Sequence, residues 1–277
     1  MITPILYETH SHTTLCKHAV GTPEQYAVEA ARKGLRGLTI TCHNPMPDGF
    51  SAAVRMSPQE LDEYVALVDR TALACRDTVD VKLGIEADFF QGFEPWLESQ
   101  LASADFHFVL GSVHPQIPEF RDRYWSDDLL EIQKLYFRLL AEAAETGLFD
   151  SLAHPDLIKN FTAKEWQPEC LMDDICDALD RIAKTGIAME INTSGLHKTI
   201  REMNPFPAML VEMRKRNIPI TVGSDAHEPG RVCADHPQAY DILEAAGYDT
   251  IRHYIDRQPV SIKITDARAS LATLATS

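Results

Sequence analysis

The sequence predicts an α/β protein built as a distorted (β/α)7, TIM-like barrel. Seven short apolar runs rich in β-branched residues alternate with longer amphipathic stretches, and the runs are apolar almost throughout instead of alternating with polar residues. Strands of that kind are buried on both faces, as in a parallel sheet covered by helices. No G-x-G-x-x-G turn follows the first run and no P-loop occurs anywhere, which argues against a two-half nucleotide-binding sheet.

The expected strands lie at 5–7, 35–41, 81–85, 106–113, 149–153, 186–191 and 218–223. The helices between them have chemical start signals. Thr22-Pro23 opens one, with Gln25 three residues after the threonine, and Ser57-Pro58-Gln59-Glu60 reads as a capping box with proline at the first helical position. Ser126-Asp127-Asp128 opens a long helix ending near Gly147, and a stretch over 168–185 stops at Gly186. Asn204-Pro205 and Asp235-His236-Pro237 begin two more. No linker, low-complexity tract or repeat divides the chain, so residues 1–277 are expected to form one domain.

Composition narrows the function. A net charge of −15 argues against a nucleic-acid backbone or an anionic membrane as the main partner, since both require a basic face. The six cysteines form no C-x-x-C pair and read as reduced thiols. The start "MITPILYETH" lacks a basic, apolar export signal, and no run of membrane-spanning length appears, so the cytoplasm is the expected compartment.

The informative feature is where the polar residues fall. His10 and His12 follow the first strand and His43 the second; Glu86 follows the third; His114 and His154 close the fourth and fifth; Asp225 and His227 close the seventh. These are carboxyl ends of strands, the face on which parallel barrels assemble their active sites. With His18 in the first loop, seven histidines and two carboxylates would converge on one mouth. Single histidines at strand ends usually serve local hydrogen bonds, but nine such coincidences do not. Neutral imidazole and carboxylate together suit divalent zinc, iron or manganese, and so many donors exceed what one four-coordinate ion can use. Cys16 and Cys42 lie beside these positions and are read as packing residues. His107, His236 and His253 are assigned structural or exposed roles, the first inside the fourth strand and the others in late helical segments. Glu190 and Asn192 end the sixth strand on the face where they could orient a ligand.

The ordered set H-x-H, "CKHAVGTPEQY", "CHNPMP", Glu86, His114, His154 and "GSDAH" resembles the PHP (polymerase and histidinol phosphatase) family, closest to its histidinol-phosphatase branch, over residues 8–228. The resemblance implies a distorted (β/α)7 barrel with three divalent metal ions, zinc being expected and iron or manganese the alternatives. His10, His12 and Asp225 would hold one ion, bridged by Glu86 to a second completed by His114 and His154. His18, His43 and His227 would hold the third. Glu86, Asp225 and His227 become the catalytic candidates: bridged ions activate a water, and of Asp225 and His227 one orients that water and the other protonates the departing alkoxide.

The implied reaction is hydrolysis of a small phosphate monoester, L-histidinol phosphate to L-histidinol and phosphate, a step of histidine biosynthesis. Lys159 and His197 stand where arginine is usual for gripping the phosphate, with Arg201 a candidate replacement. Asp48, Asp88 or Glu119 could pair with the substrate ammonium, and Phe89-Phe90 could face its imidazole. The competing readings are a phosphoesterase of the same family acting on nucleotides or another small phosphate, a metal-dependent amidohydrolase, and a non-catalytic metal-binding module.

Overall fold

A computed structural model of the chain describes residues 4–272; the outermost residues of the expected 1–277 domain lie outside the described residues. Strand β1 (Tyr7–Glu8) leads into α1 (Pro23–Arg32), β2 (Gly37–Ile40), α2 (Leu61–Cys75) and β3 (Asp80–Asp88). Then come α3 (Glu94–Leu101), β4 (Phe108–Ser112), α4 (Pro118–Tyr124), α5 (Leu129–Glu145), β5 (Ser151–Leu152), α6 (Met172–Thr185) and β6 (Ala188–Asn192). The chain continues through α7 (Pro207–Lys215), β7 (Ile220–Gly223), α8 (His236–Ala245), β8 (Thr250–Ile255), β9 (Gln258–Lys263) and α9 (Ile264–Ala272).

The local signals act as the sequence implies. Gln25 Oε1 accepts the Thr22 N–H at 2.9 Å, and Glu60 Oε2 accepts the Ser57 N–H at 2.6 Å. The Asp128 carboxylate caps α5 by accepting the Glu131 N–H at 3.2 Å. Helix α6 ends at Gly186, whose φ of 75° is the left-handed geometry that a residue without Cβ adopts freely.

Each strand from β1 to β8 pairs in parallel with the next, in chain order. This is the expected distorted (β/α)7 barrel. Its ring is left open as a ladder, because β1 is short and joins the seventh strand only just beyond their carboxyl ends. There Ser11 and Ala226 form a parallel bridge, with His12 N–H to Ala226 O at 2.9 Å and Ala226 N–H to His10 O at 3.0 Å. The buried Glu8 carboxylate reinforces the seam, accepting Ser224 N–H and Oγ–H at 3.0 and 2.6 Å and the Cys233 N–H at 2.6 Å.

Strands β8 and β9 were not anticipated. They form an antiparallel hairpin that crosses the amino-terminal mouth of the barrel. At its turn, Arg257 donates its N–H to His107 O at 2.9 Å and its guanidinium to Leu148 O and to Asp150. Tyr254 stacks on Phe108 (5.3 Å) within a small inner cluster with Leu110, Ala153 and Ala188. His253 therefore lies in a strand, stacked on Tyr7 at 4.8 Å, and not in a helix as expected. His107 sits just before β4, and His236 begins α8. The hairpin seals the face opposite the histidines.

Candidate metal and substrate site

Glu86, fully buried near the end of β3, is the hub. Its Oε2 lies 2.8 Å from His43 Nδ1, 3.5 Å from His10 Nε2 and 3.6 Å from His12 Nε2. Its Oε1 lies 3.1 Å from His154 Nε2 and 3.4 Å from His114 Nε2. Five imidazoles from the ends of four different strands thus face one carboxylate. Asp225 adds a second, with Oδ1 3.1 Å from His12 Nε2 and 3.5 Å from His10 Nε2. His227 stacks on His12 with ring centres 4.0 Å apart, and on His18 at 4.5 Å; His18 and His43 are 5.5 Å apart. His154 (φ 28°) and Asp225 (φ 51°) take left-handed backbone angles, a cost of about 1–3 kcal/mol each that is met at sites where surrounding structure dictates the geometry.

The far nitrogens of several rings are already committed. His10 Nδ1 lies 2.8 Å from Glu190 Oε1, whose other oxygen accepts the His154 N–H and Asn192 Nδ2–H, each at 2.9 Å. His114 Nδ1 lies 2.8 Å from Asp88 Oδ1. His18 Nδ1 and His227 Nδ1 face the carbonyls of Cys16 and Asp225 at 2.7 and 3.0 Å. A nitrogen facing a carbonyl must carry the proton, which leaves Nε2 of that ring with a lone pair. The sequence places Glu190 where it could orient a ligand, and in three dimensions it lies against His10 Nδ1. Gly223 shows how closely this layer packs, since a Cβ there would collide with Glu190 Oε1 and His10 Cβ.

Burial and charge oppose each other throughout. Burial alone would raise the Glu86 carboxyl, but His43, His10 and His114 hold it well below its usual range. Burial also opposes charging of His114, yet Asp88 and Glu86 raise it to about 10. For His43 burial wins, aided by neighbouring His12, and its value falls to about 3. Packed acids and imidazoles that must hold protons to coexist are the donor set a multivalent cation would neutralise.

The donor geometry fits a metal. His10 Nε2 and His227 Nε2 are buried without a hydrogen-bond partner, and His43 Nδ1 and Glu86 Oε2, 2.8 Å apart, make no well-directed hydrogen bond. Ligand atoms of His10, His12 and Glu86 lie within 4.8 Å of one another, as do those of His43, Glu86 and His114, and those of His12, His43 and His227. Cys16 joins His18 and His227 in a further set, and Cys16 and Cys42 join His12 in another. Their reading as mere packing residues is therefore incomplete: both thiols lie within reach of the cluster.

The expected phosphate contacts fare differently. Lys159 is fully buried, and its three ammonium hydrogens are occupied by Asp156 at 2.9 Å, Glu202 at 3.2 Å and the Met203 carbonyl at 2.8 Å. It braces the loops and has no donor left for phosphate. His197 points outward, 57% exposed and 3.3 Å from Asp235. Arg201 is exposed, and no described hydrogen bond or ion pair joins it to the cluster. The residue between these positions that reaches the site is Lys198, unremarked from sequence, with Nζ 3.3 Å from Asp225 Oδ2.

Beside the cluster opens a cleft of about 390 Å3, walled by His18, His43, His114, Gln116 and Glu119 and by the 49–55 loop. Of the three acids considered for an ammonium, Glu119 faces this space, anchored by the Ser51 N–H at 2.7 Å and Oγ–H at 2.5 Å. Asp88 instead lies buried in an ion pair with Arg55 at 2.5 Å. Asp48 is not part of the wall. Phe89 and Phe90 are buried in the core, Phe90 edge-on to Phe50 at 5.0 Å, so neither faces a substrate ring.

A family model described as PHP domain matches residues 8–194. A protein of Deinococcus radiodurans named "Probable histidinol-phosphatase" is 40% identical over 233 residues, covering 82% of this chain and 88% of its own. The "Histidinol-phosphatase" of Bacillus subtilis is 25% identical over 253 residues, 80% of this chain and 94% of its own. Among solved structures, histidinol phosphate phosphatase from Lactococcus lactis, complexed with zinc, L-histidinol and phosphate, superposes with a TM-score of 0.78 over 92% of this chain and 98% of its own, at 20% identity.

Proposed function

The chain belongs to the PHP domain family, and from that premise we propose that it hydrolyses L-histidinol phosphate to L-histidinol and phosphate, using divalent metal ions at the barrel mouth. One observation carries the reading: the Glu86 carboxylate surrounded by five imidazoles, with buried nitrogens left unpartnered, at the edge of a cleft with an anchored acid.

We assign three ions, zinc first and iron or manganese as alternatives. His10, His12, Asp225 and Glu86 would hold one, Glu86, His114 and His154 the second, and His18, His43 and His227 the third. When bound, such ions supply Lewis acidity toward water and phosphoryl oxygen. The protein's own groups do the rest. Glu190 and Asp88 hold His10 and His114 in the tautomer that presents Nε2 inward. Water attacks phosphorus in line as the bond to the alcohol oxygen breaks, and one proton must leave the water while one reaches the departing alkoxide. Asp225 and His227 stand nearest to these two tasks; His227 Nδ1–H is held by the Asp225 carbonyl, so its Nε2 serves either the third ion or the proton, not both. The leaving group occupies the cleft, with Glu119 pairing its ammonium; burial would raise this carboxyl, but the Ser51 donors keep it below its usual range. We further propose that residues 1–277 work as one domain, supported by a continuous core that joins every helix layer to the sheet. No helix among the described residues is long and apolar enough to cross a membrane. The free cysteines support a reducing compartment, the cytoplasm.

The test is phosphate release from histidinol phosphate and from a panel of nucleoside and sugar monophosphates, by protein stripped with chelator and reloaded with zinc, iron or manganese. Activity abolished by stripping, restored by metal and highest on histidinol phosphate is expected. Full activity after exhaustive stripping would end the mechanism, and preference for a nucleotide would end the substrate assignment.

A further inference from the structure

From its position we infer that Lys198 is the cation that grips the substrate phosphate in this chain, a role the sequence pattern assigns elsewhere. The inference rests on the phosphatase reading and deepens it at one residue.

Bound cations would draw two phosphoryl oxygens inward, and a positive donor at the rim orients the oxygens of the phosphate monoester that still face outward. Lys159 cannot serve: it is fully buried, and three oxygens already use its three N–H bonds. His197 faces solvent, tied to Asp235, which Arg231 also contacts at 2.9 Å. Arg55 gives its terminal N–H groups to Asn44 and Asp88, and its unpartnered Nε is buried. Lys198 differs from all of them. Its Nζ lies 3.3 Å from Asp225 Oδ2, its side chain is 27% exposed, and Asp225 is its one described acceptor, so two N–H bonds stay free at the rim.

The backbone holds it there. The 3-10 turn Thr193–His197 follows β6 directly, Asn192 accepts the Ser194 N–H at 3.0 Å, and the Lys198 N–H closes the turn on Gly195 O at 3.1 Å. The Ser194 hydroxyl is shared between Asn192 Oδ1 at 2.7 Å and Asp225 Oδ2 at 3.0 Å, and can turn to Asp225 when Lys198 swings toward a phosphate. A lysine binds as a point charge and tolerates a range of phosphate positions, where a bidentate arginine would demand one.

The experiment measures inorganic phosphate binding to zinc-loaded protein by calorimetry, with metal content and thermal stability recorded for every variant. Lys198→Met is expected to weaken phosphate binding about 10- to 100-fold, the worth of a hydrogen bond to a charged group, at unchanged metal content. Lys198→Arg should keep it within about threefold, since charge and reach are retained. Unchanged phosphate affinity in Lys198→Met overturns the inference. So does loss of metal, which would make Lys198 a residue that positions Asp225. If wild-type loaded protein binds no phosphate, the phosphatase reading fails along with it; if wild type and Lys198→Met bind equally, only the assignment of Lys198 fails.

Discussion

Replacing Glu190 by glutamine tests the buried layer behind the cluster. Glu190 is fully buried and accepts three hydrogen bonds: His10 on Oε1, and the His154 N–H and Asn192 amide on Oε2. Glutamine keeps the shape but offers one acceptor oxygen and one NH2 group. With NH2 at the Oε2 position, it points donors at two donors. With NH2 at the Oε1 position, it donates to His10 Nδ1, forcing the ring proton onto Nε2, the nitrogen that faces Glu86 and Asp225. Either way a buried charged hydrogen bond worth about 1.5–3 kcal/mol is lost. Where such a partner orients a ligating histidine, metal affinity falls about 10- to 100-fold. The assay is competition for zinc between protein and a chelator of known affinity, with 15N NMR of the imidazoles reporting the His10 tautomer. Zinc affinity within twofold of wild type, with the His10 proton still on Nδ1, would refute the reasoning.

Three further outcomes follow from the same contacts. Arg55→Met leaves the buried Asp88 with the His114 imidazole and the Ser112 hydroxyl as its side-chain partners, and should lower the unfolding free energy in a denaturant titration by about 3 kcal/mol; a loss under 1 kcal/mol would show that those two partners suffice. Burial and the nearby Arg36 depress His253 from 6.5 to about 4. Between these values the unfolded chain binds the extra proton, so stability falls as pH drops from 6.5 to 4, by at most about 3 kcal/mol from this residue; His253→Phe should flatten that limb relative to wild type, and parallel curves would count against it. Glu119→Gln should raise KM for histidinol phosphate about tenfold through loss of an ammonium contact and leave KM for an uncharged alkyl phosphate unchanged; equal shifts for both would remove Glu119 from recognition.

Much of the architecture can be read from local chemistry. Near-continuous apolar runs separated by Thr22, Ser57 and Asp128 caps specify strand, helix, strand, and right-handed parallel closure leaves few alternatives. Because the carboxyl end of each strand is known once its direction is known, His10, His43, Glu86, His114, His154 and Asp225 could be placed on one rim from their positions alone. The terminal hairpin was missed because "IRHYIDRQPV" carries charges at strand positions and reads as a helical segment, whereas tertiary contact with Tyr7, Phe108 and Asp150 makes it a strand pair.

Side-chain direction beyond the strand ends was decided only by the tertiary structure. Lys159 and Lys198 look equivalent as loop lysines, yet one is swallowed by Asp156, Glu202 and Met203, and the other meets Asp225. The acids behind the rings, Glu190 for His10 and Asp88 for His114, come from residues 180 and 26 positions away. Periodicity orders neighbours along one element; a charge placed by folding distant loops against each other obeys no period, and only the packed whole reveals its partner.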